Sequence, residues 1–458
     1  MSQSAEPDLS LARASRKVVR RLIPFLMLCY FVAYLDRVNV GFAALTMNAA
    51  LGLTAEMYGF GAGIFFAGYF LFEVPSNLLL ERFGARVWIA RIMVTWGLLA
   101  TGMAFVTGAA SFYAMRFLLG IAEAGFFPGV ILYLTYWFSA EERARWIGMF
   151  MTAIPLSSVI GGPVSGWILD QMNGAYGLAG WQWLFLIEGL PSIAIGFACL
   201  AYLDDGPAQA SWLDADECAA LLGRLAAERQ QREAVHTFTL REALTNRRVL
   251  ALSLVYFGIV SGNYGLGVWL PSIVADVARS AGLDAATGIR INTLTGVLVA
   301  VPYAFAVVAM ILWTRRSDRT GERVWHVAGP SLLGGISLAA SAQLADPWLA
   351  ALALTLAAVC TYAALPTFWT LPTAFLTGSA AAAGIALVNS IGNLGGFVGP
   401  YLLGWLQATT GSPSAGLLVL AACYGMAGVV TAWVGSTSSA PEPASARSGD
   451  GASRSPRS

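Results

Sequence analysis

The sequence predicts an all-α membrane protein: twelve transmembrane helices arranged as two six-helix repeats. Three observations carry this. Of 458 residues, 57% are hydrophobic and 12% charged, with a mean hydropathy of +0.65, whereas a soluble domain carries roughly a quarter charged residues. Apolar runs of spanning length recur from end to end, and in a bilayer each must be helical, because a lipid-exposed strand edge leaves backbone groups unpaired. Two motifs also recur at one offset. "NLLLERFGAR" (77–86) and "TRRSDRTGER" (314–323) share acid-Arg-x-Gly-x-Arg, with Asp318 lying 237 residues after Glu81. "GGPVSG" around Pro163 is echoed by "GGFVGPYLLG" around Pro400, again 237 residues on. Parallel six-helix repeats facing a central site form an alternating-access architecture.

The elements follow in order. "RASRKVVRR" precedes the first run, 22–47, and the positive-inside rule places it in the cytoplasm. That run is too long for a signal-peptide core and lacks a small-residue cleavage site, so it stays as an anchor. Spans 57–80 and 87–108 flank the turn "ERFGAR"; spans 111–137 and 145–168 flank "EERAR"; span 183–203 completes the first half. These arginine-rich turns and "RRSDRTGER" fall on the same side as the N-terminus, Arg279 and Arg290 being the main exceptions. The second half reads as spans 248–274, 290–313, 324–344, 347–375, 381–405 and 414–436. The domains are then a cytoplasmic N-terminal segment (1–21), a six-helix bundle (22–203), a cytoplasmic central loop (204–247), a second six-helix bundle (248–436) and a disordered cytoplasmic tail (437–458). Within the loop, the leucine spacing of "LDADECAALLGRLAAERQQ" predicts short amphipathic helices. The tail is low-complexity and rich in Ser, Pro and Arg.

What is absent excludes several functions. A net charge of +1 is no polybasic nucleic-acid binder. The five cysteines are scattered with no CxxC pair, so neither a disulfide framework nor a metal site is expected. Lys17 is the only lysine, which removes both a P-loop and a retinal Schiff base. His236 and His326, the only histidines, are read in polar stretches between spans, too few for a zinc-protease motif and misplaced for an intramembrane relay. No nucleophile-base pair marks an intramembrane enzyme, and no cofactor is implied. A membrane sensor would need an output domain, for which only the short loop and the tail are candidates.

The charges inside spans carry the most information. "FVAYLDRVNVGF" (31–42) places Asp36 and Arg37 in an uncharged stretch, and "RFLLGIAEAGFFPG" places Arg116 and Glu123 seven apart, about two turns along one helix face. A charge at mid-membrane costs ~2.5–3.5 kcal/mol even on the lenient insertion scale. Glu73, Arg91 and Glu188 lie nearer span ends, where snorkelling or a local ion pair is expected. The second half has almost no such charges and offers aromatic and amide surfaces instead, as in "NYGLGVWLP" and "PTFWTLP". Arginine stays charged and presents a planar fork to a carboxylate, so Arg37 and Arg116 are candidates to hold an organic anion. Desolvation penalises an ionised carboxylate, so Asp36 and Glu123 are candidates to carry a proton. A buried structural salt-bridge network is the competing reading. Asn389 and Asn393, four apart in "NSIGNLGG", share a helix face that either lines the central cavity or bonds a neighbouring helix. Trp269, Phe368, Trp369 and Asn393 are candidates for the second-half wall, against plain packing for the aromatics.

The paired acid-Arg-x-Gly-x-Arg loops resemble the signature of the major facilitator superfamily. The resemblance implies that Glu81, Arg82, Arg86, Asp318, Arg319 and Arg323 gate on the cytoplasmic face, with Gly84 and Gly321 in the tight turns. The family often opens the motif with glycine, where this chain has Asn77 and Thr314. "YLDRVNVGFA", "FEVPSNLLLERFGAR", "RFLLGIAEAGFFPGVILYLTYWF", "WQWLFLIEGLPS" and "GIALVNSIGNLGGFVGP" together resemble its anion:cation symporter family over nearly the whole chain. The resemblance implies that Asp36, Arg37, Arg116 and Glu123 couple protons and bind the anion, and that Tyr34 lines the site. "EAGFFPG" is similar to the tartrate, phthalate, 4-hydroxyphenylacetate and nicotinate carriers. The expectation is a bacterial inner-membrane symporter of a small carboxylate and a proton, working as a monomer with both termini cytoplasmic. The alternatives are a proton-independent exchanger or uniporter of the same anions. A drug antiporter is disfavoured by the two arginines.

Overall fold

A computed structural model describes residues 5–233, 245–375 and 379–438. His236, most of the expected tail and 234–244 of the central loop lie outside the described residues. Numbered in chain order, the first half comprises α1 (Ala5–Leu51), α2 (Ala55–Phe83), α3 (Ala85–Gly102), α4 (Ala109–Glu123), α5 (Phe126–Thr135), α6 (Ala140–Met151), α7 (Ala153–Gln171) and α8 (Gly180–Tyr202). Helix α9 (Ala215–Glu233) occupies the loop. The second half comprises α10 (Arg247–Ser280), α11 (Leu283–Thr287), α12 (Ile291–Thr320), α13 (Val324–Ser341), α14 (Pro347–Phe368), α15 (Thr370–Phe375), α16 (Ser379–Asn393), α17 (Gly395–Thr410) and α18 (Ser414–Ser438).

Among the described residues, ten helical runs are long and apolar enough to cross a membrane. The other two expected spans are present in altered form: α13 is an 18-residue helix diluted by Gly, Ser and Pro, and 381–405 is divided into α16 and α17 at Leu394. Helix α1 is longer than the span read from sequence, because the basic segment continues the same helix. Ala14 and Val18 bury its inner side, and Lys17 pairs with Asp214 at 3.0 Å and Glu217 at 2.7 Å, tying it to the start of α9. One break matters for the site. After Glu123 the chain leaves the helix at Ala124 and Gly125; Gly125 has φ +86° and its missing Cβ would sit 2.4 Å from Ser76 Oγ, so only glycine fits there. His326, read between spans, instead lies in the first turn of α13, buried against Trp313.

The two halves meet most closely at the end of the molecule opposite the arginine-rich turns. There α7 and α12 cross with almost no side chain between them: a Cβ on Gly162 would lie 2.7 Å from Gly296 O, and one on Gly166 would lie 2.2 Å from Asn292 O. Helices α2 and α17 do the same, Gly404 facing Ala55 O at 2.4 Å and Gly59 facing Pro400 O at 2.6 Å. Small residues permit such backbone approach in a bilayer, where lipid gives no hydrophobic drive to helix pairing. Asp170, at the end of α7, fastens this closure by accepting from Asn292 Nδ2 at 2.8 Å and from Thr293 N and Oγ1 at 2.7 Å. The carboxylate therefore serves donors in the first turn of α12, where backbone N–H groups lack helical partners.

Candidate functional site

Between the halves lies a cavity that the two repeats line together. The first half contributes Tyr30, Tyr34 and Arg37 from α1 and Tyr69 from α2; the second contributes Tyr256, Asn263 and Tyr264 from α10. Asn389 and Asn393 of α16 close one side. The helix period explains the grouping. Tyr30, Tyr34 and Arg37 stand at i, i+4, i+7, and Tyr256, Asn263 and Tyr264 at i, i+7, i+8, so each set shares a face.

Arg37 is the charged centre. Its guanidinium pairs with Glu123 from the broken end of α4 and donates to Tyr264 Oη at 2.6 Å. Tyr34 Oη also donates to Tyr264 Oη at 2.9 Å. Tyr264 thus accepts twice, which leaves its own hydroxyl proton to donate elsewhere. The guanidinium lies 5.1 Å from the Tyr34 ring centre and 5.5 Å from that of Phe65, a cation–π setting for a charge held away from water. Glu123 is 1% exposed, and its second oxygen has no hydrogen-bond partner among the described residues.

The other expected residues divide by position. Asn389 and Asn393 line the cavity, and Asn389 Nδ2 also donates to Glu73, so both readings left open for that face apply at once. Asp36 is buried next to Arg37 but turns to α8, where Ser192 Oγ donates to it at 2.6 Å. Arg116 is 2% exposed and directed at α2, donating to Gly61 O at 3.4 Å and Ala62 O at 3.1 Å and lying over Phe65. Its fork is occupied by backbone carbonyls rather than presented to the cavity. Trp269 donates to Pro400 O at 3.2 Å and meets Tyr58 edge-on, a packing role near the closed end. Phe368 stacks on Tyr256 with centroids 5.0 Å apart, and Trp369 meets the same ring edge-on at 4.8 Å; both brace a lining residue from behind.

Two carboxylates expected to snorkel or to form a local ion pair are instead buried among neutral hydrogen-bond donors. Glu73 and Glu188 are 4% and 2% exposed. Glu73 reaches across the halves to Asn389 and Ser390 of α16, and Glu188 accepts from Ser165 Oγ at 2.7 Å. Arg91 alone behaves as expected for a span end, lying 3.9 Å over the Trp88 ring. Glu73 and the lining tyrosines other than Tyr34 (Tyr30, Tyr69, Tyr256 and Tyr264) are the site residues that sequence reasoning missed. The signal for Tyr30 was its i, i+7 spacing with Arg37, and for Tyr256 its i, i+7 spacing with Asn263.

At the arginine-rich end, Gly84 has φ +87° with Asp205 carboxylate 2.7 Å from where its Cβ would be, and Arg86 N–H donates to that carboxylate at 2.9 Å. Arg82 lies over Phe83. In the second loop Gly321 has φ +68° and Arg323 pairs with Asp318 at 2.6 Å. Glu81 and Arg319 are exposed. Arg86 thus bonds to a residue that follows α8 of the same half and Arg323 to its own loop, while the opposite end is sealed between halves.

Two six-helix halves, sealed together at one end around a charged cavity, define a membrane transporter of alternating-access architecture. Residues 26–400 match the family model described as Major Facilitator Superfamily, and the chain belongs to that superfamily. It is a multi-pass membrane transporter, not an enzyme. It is 50% identical over 419 residues to a protein of Agrobacterium vitis assigned as a tartrate transporter, covering 92% of this chain and 94% of that one. It is 44% identical over 409 residues to the Pseudomonas putida protein assigned as metabolite transport protein NicT, covering 89% and 91%. The structure superposes with a TM-score of 0.68, at 16% identity, on a bacterial homologue of the human lysosomal transporter Spinster in an inward-facing, occupied conformation, covering 91% of this chain and 96% of that one.

Proposed function

We propose that this protein imports a small organic carboxylate, tartrate-like or a small aromatic acid, by proton symport across the bacterial inner membrane. The observation that supports this best is the Arg37–Glu123 pair at the cavity between the halves. Arg37 is permanently charged and is the cavity-lining group suited to a carboxylate; Glu123 competes for the same fork. Protonating Glu123 frees Arg37, and a substrate carboxylate then replaces Glu123 while Tyr264 donates its hydroxyl proton to the same anion. Neither cargo is stable there alone, which couples them without a covalent step. The relatives' names support the carboxylate class. Arg116, expected to share the anion, has its fork turned to α2, so the proposal gives the anion contact to Arg37 and leaves Arg116 to hold α2 against α4.

The closed end carries few positive charges and the open end carries the arginine-rich turns, so with both termini cytoplasmic this conformation faces inward. The loops around Glu81, Arg82, Arg86, Asp318, Arg319 and Arg323 would pair across the halves only when the cytoplasmic side closes. The two bundles, 22–203 and 248–436, act as the rocking units, and each chain carries its own cavity, so the monomer is the working unit. The test uses purified protein in liposomes containing a pH dye, with aliphatic and aromatic carboxylates added outside and protein-free liposomes as control. Protein-dependent acidification by one compound, abolished in Glu123→Gln, supports symport. Entry of labelled anion without acidification assigns the protein to exchange or uniport, and no entry of any carboxylate removes the substrate class.

A further inference from the structure

A second cavity, of about 350 Å³, lies between α1 and α6 at the arginine-rich end. Arg16, Val19 and Arg20 line it from α1; Glu142, Arg145 and Trp146 line it from α6. Helix geometry puts it below the central cavity. Arg16 stands 18 residues before Tyr34, about five full turns, and Val19 stands 11 before Tyr30, about three. These four residues therefore share one face of α1. The same two helices bound both chambers. Tyr30 stacks on Phe150 of α6 with centroids 4.3 Å apart, and Met151 of α6 lines the central cavity. Farther toward the arginine-rich end, Ser15 donates to Glu142 at 2.8 Å. Lys17 and Arg21 of α1 are turned elsewhere, to Glu217 of α9 and to Tyr202 of α8.

The charge in this cavity is unbalanced. Among the described residues, Arg16, Arg20 and Arg145 form no ion pair. Arg16 donates Nε to Ala12 O at 3.2 Å within its own helix, and Arg145 lies over the Trp146 ring at 4.9 Å, so both keep their terminal nitrogens for another partner. Glu142, the carboxylate in the lining, already accepts from Ser15 and, at 3.3 Å, from Ser139. Three guanidinium groups thus gather around one engaged carboxylate. A cleft lined by one sign of charge concentrates ions of the other sign, and the guanidinium fork matches a carboxylate. We propose that Arg16, Arg20 and Arg145 form an anion antechamber, a second site in which a small carboxylate is held between the central cavity and the arginine-rich side. The identity of its occupant rests on the carboxylate reading above; its charge rests on this cavity alone. When Glu123 loses its proton and reclaims Arg37, the departing anion meets three arginines that stay charged at every working pH.

The test reads the antechamber without requiring transport. Val19→Cys, in a background lacking the five native cysteines, is labelled from the arginine-rich side with an anionic and a cationic thiol reagent of similar size, in phosphatidylcholine vesicles. The anionic reagent is expected to react about tenfold faster or more. That ratio should fall toward one in Arg16→Gln/Arg20→Gln/Arg145→Gln and at high salt, while the cationic rate shows that the cysteine stays accessible. Tartrate should slow anionic labelling, and still do so with Arg37→Lys added, but not in the triple variant. A ratio near one in the parent, a ratio unchanged in the triple variant, or no protection by tartrate would overturn the antechamber. Protection abolished by Arg37→Lys would overturn it too, by assigning the effect to the central cavity. Anionic labelling that is slowed to the same extent by adding phosphatidylglycerol, with tartrate then giving no protection, would assign the arginines to a lipid headgroup instead. If no carboxylate enters in the uptake assay while tartrate still protects, the failure counts against the transport reading and leaves this site standing.

Discussion

At the scale of single residues, function concentrates on Arg37 and the groups that compete for it. Its two terminal nitrogens serve a carboxylate on one side and a phenol on the other, and lysine, whose donors radiate from a single nitrogen, lacks the planar fork that reaches both at once. Arg37→Lys is expected to lower carboxylate uptake by roughly a hundredfold, since a hydrogen bond to a charged group is worth about 1.5–3 kcal/mol. Uptake within a few-fold of wild type would remove Arg37 from the anion site. Tyr264→Phe deletes the acceptor shared by Tyr34 and Arg37 and the proton offered to substrate; it should raise KM about tenfold or more while leaving the protein folded, as read by Tm. The charge pattern of the first half was legible in the sequence because a buried ion is rare. What each ion bonds to was not. Arg116 and Glu123 are seven apart on one helix, yet Glu123 sits at the break and meets Arg37, while Arg116 spends itself on carbonyls of α2.

At the scale of elements, helix ends and glycine crossings set the moving parts. Glu322 caps α13 by accepting from Trp325 N at 2.7 Å and His326 N at 3.1 Å, and its other contact is His326 Nδ1 at 2.7 Å. Partial burial works against its ionised form, but these donors prevail and hold its pKa below the ordinary glutamate value. A lowered folded pKa means stability present above the unfolded value and lost as pH falls through the folded one. The Tm gap between wild type and Glu322→Gln should therefore be largest near neutral pH and shrink toward acid; a gap that grows on acidification would contradict the cap. Gly166→Val drives a side chain into Asn292 O at the α7–α12 crossing. Overpacking costs about 1–3 kcal/mol, enough to shift the balance between conformations roughly 5–150-fold away from the sealed state. Faster labelling of a cavity cysteine from the outer face would show this; unchanged labelling would mean that the crossing is not the gate.

At the scale of the whole molecule, the asymmetry between its ends is the functional statement. Among the described residues, the backbone-to-backbone contacts between halves lie at the end away from the arginine-rich turns, and the cavity lies on the other side of that seal. Asn393→Cys, in a background lacking the five native cysteines, is expected to react with a membrane-impermeant thiol reagent from the cytoplasmic face and to be protected from the outer face. Equal labelling from both faces, or labelling only from outside, would assign the seal to the wrong side.

The twelve-span, two-repeat architecture was determined by the sequence itself, because bilayer physics demands helices of spanning length and because motifs repeated 237 residues apart disclose duplication. The electrostatic first half and the amide-bearing face of Asn389 and Asn393 were readable for the same reason: polar groups in lipid need a purpose. Only the tertiary structure decided which of them converge. Glu73 and Glu188 looked like span-end charges and are buried, one bonded across the halves to Asn389 and one to Ser165 of α7. A side chain's partner on another helix depends on the rotation, depth and breaks of both helices, and none of these is encoded in local spacing. Hydropathy places a residue in the membrane; packing decides whom it faces.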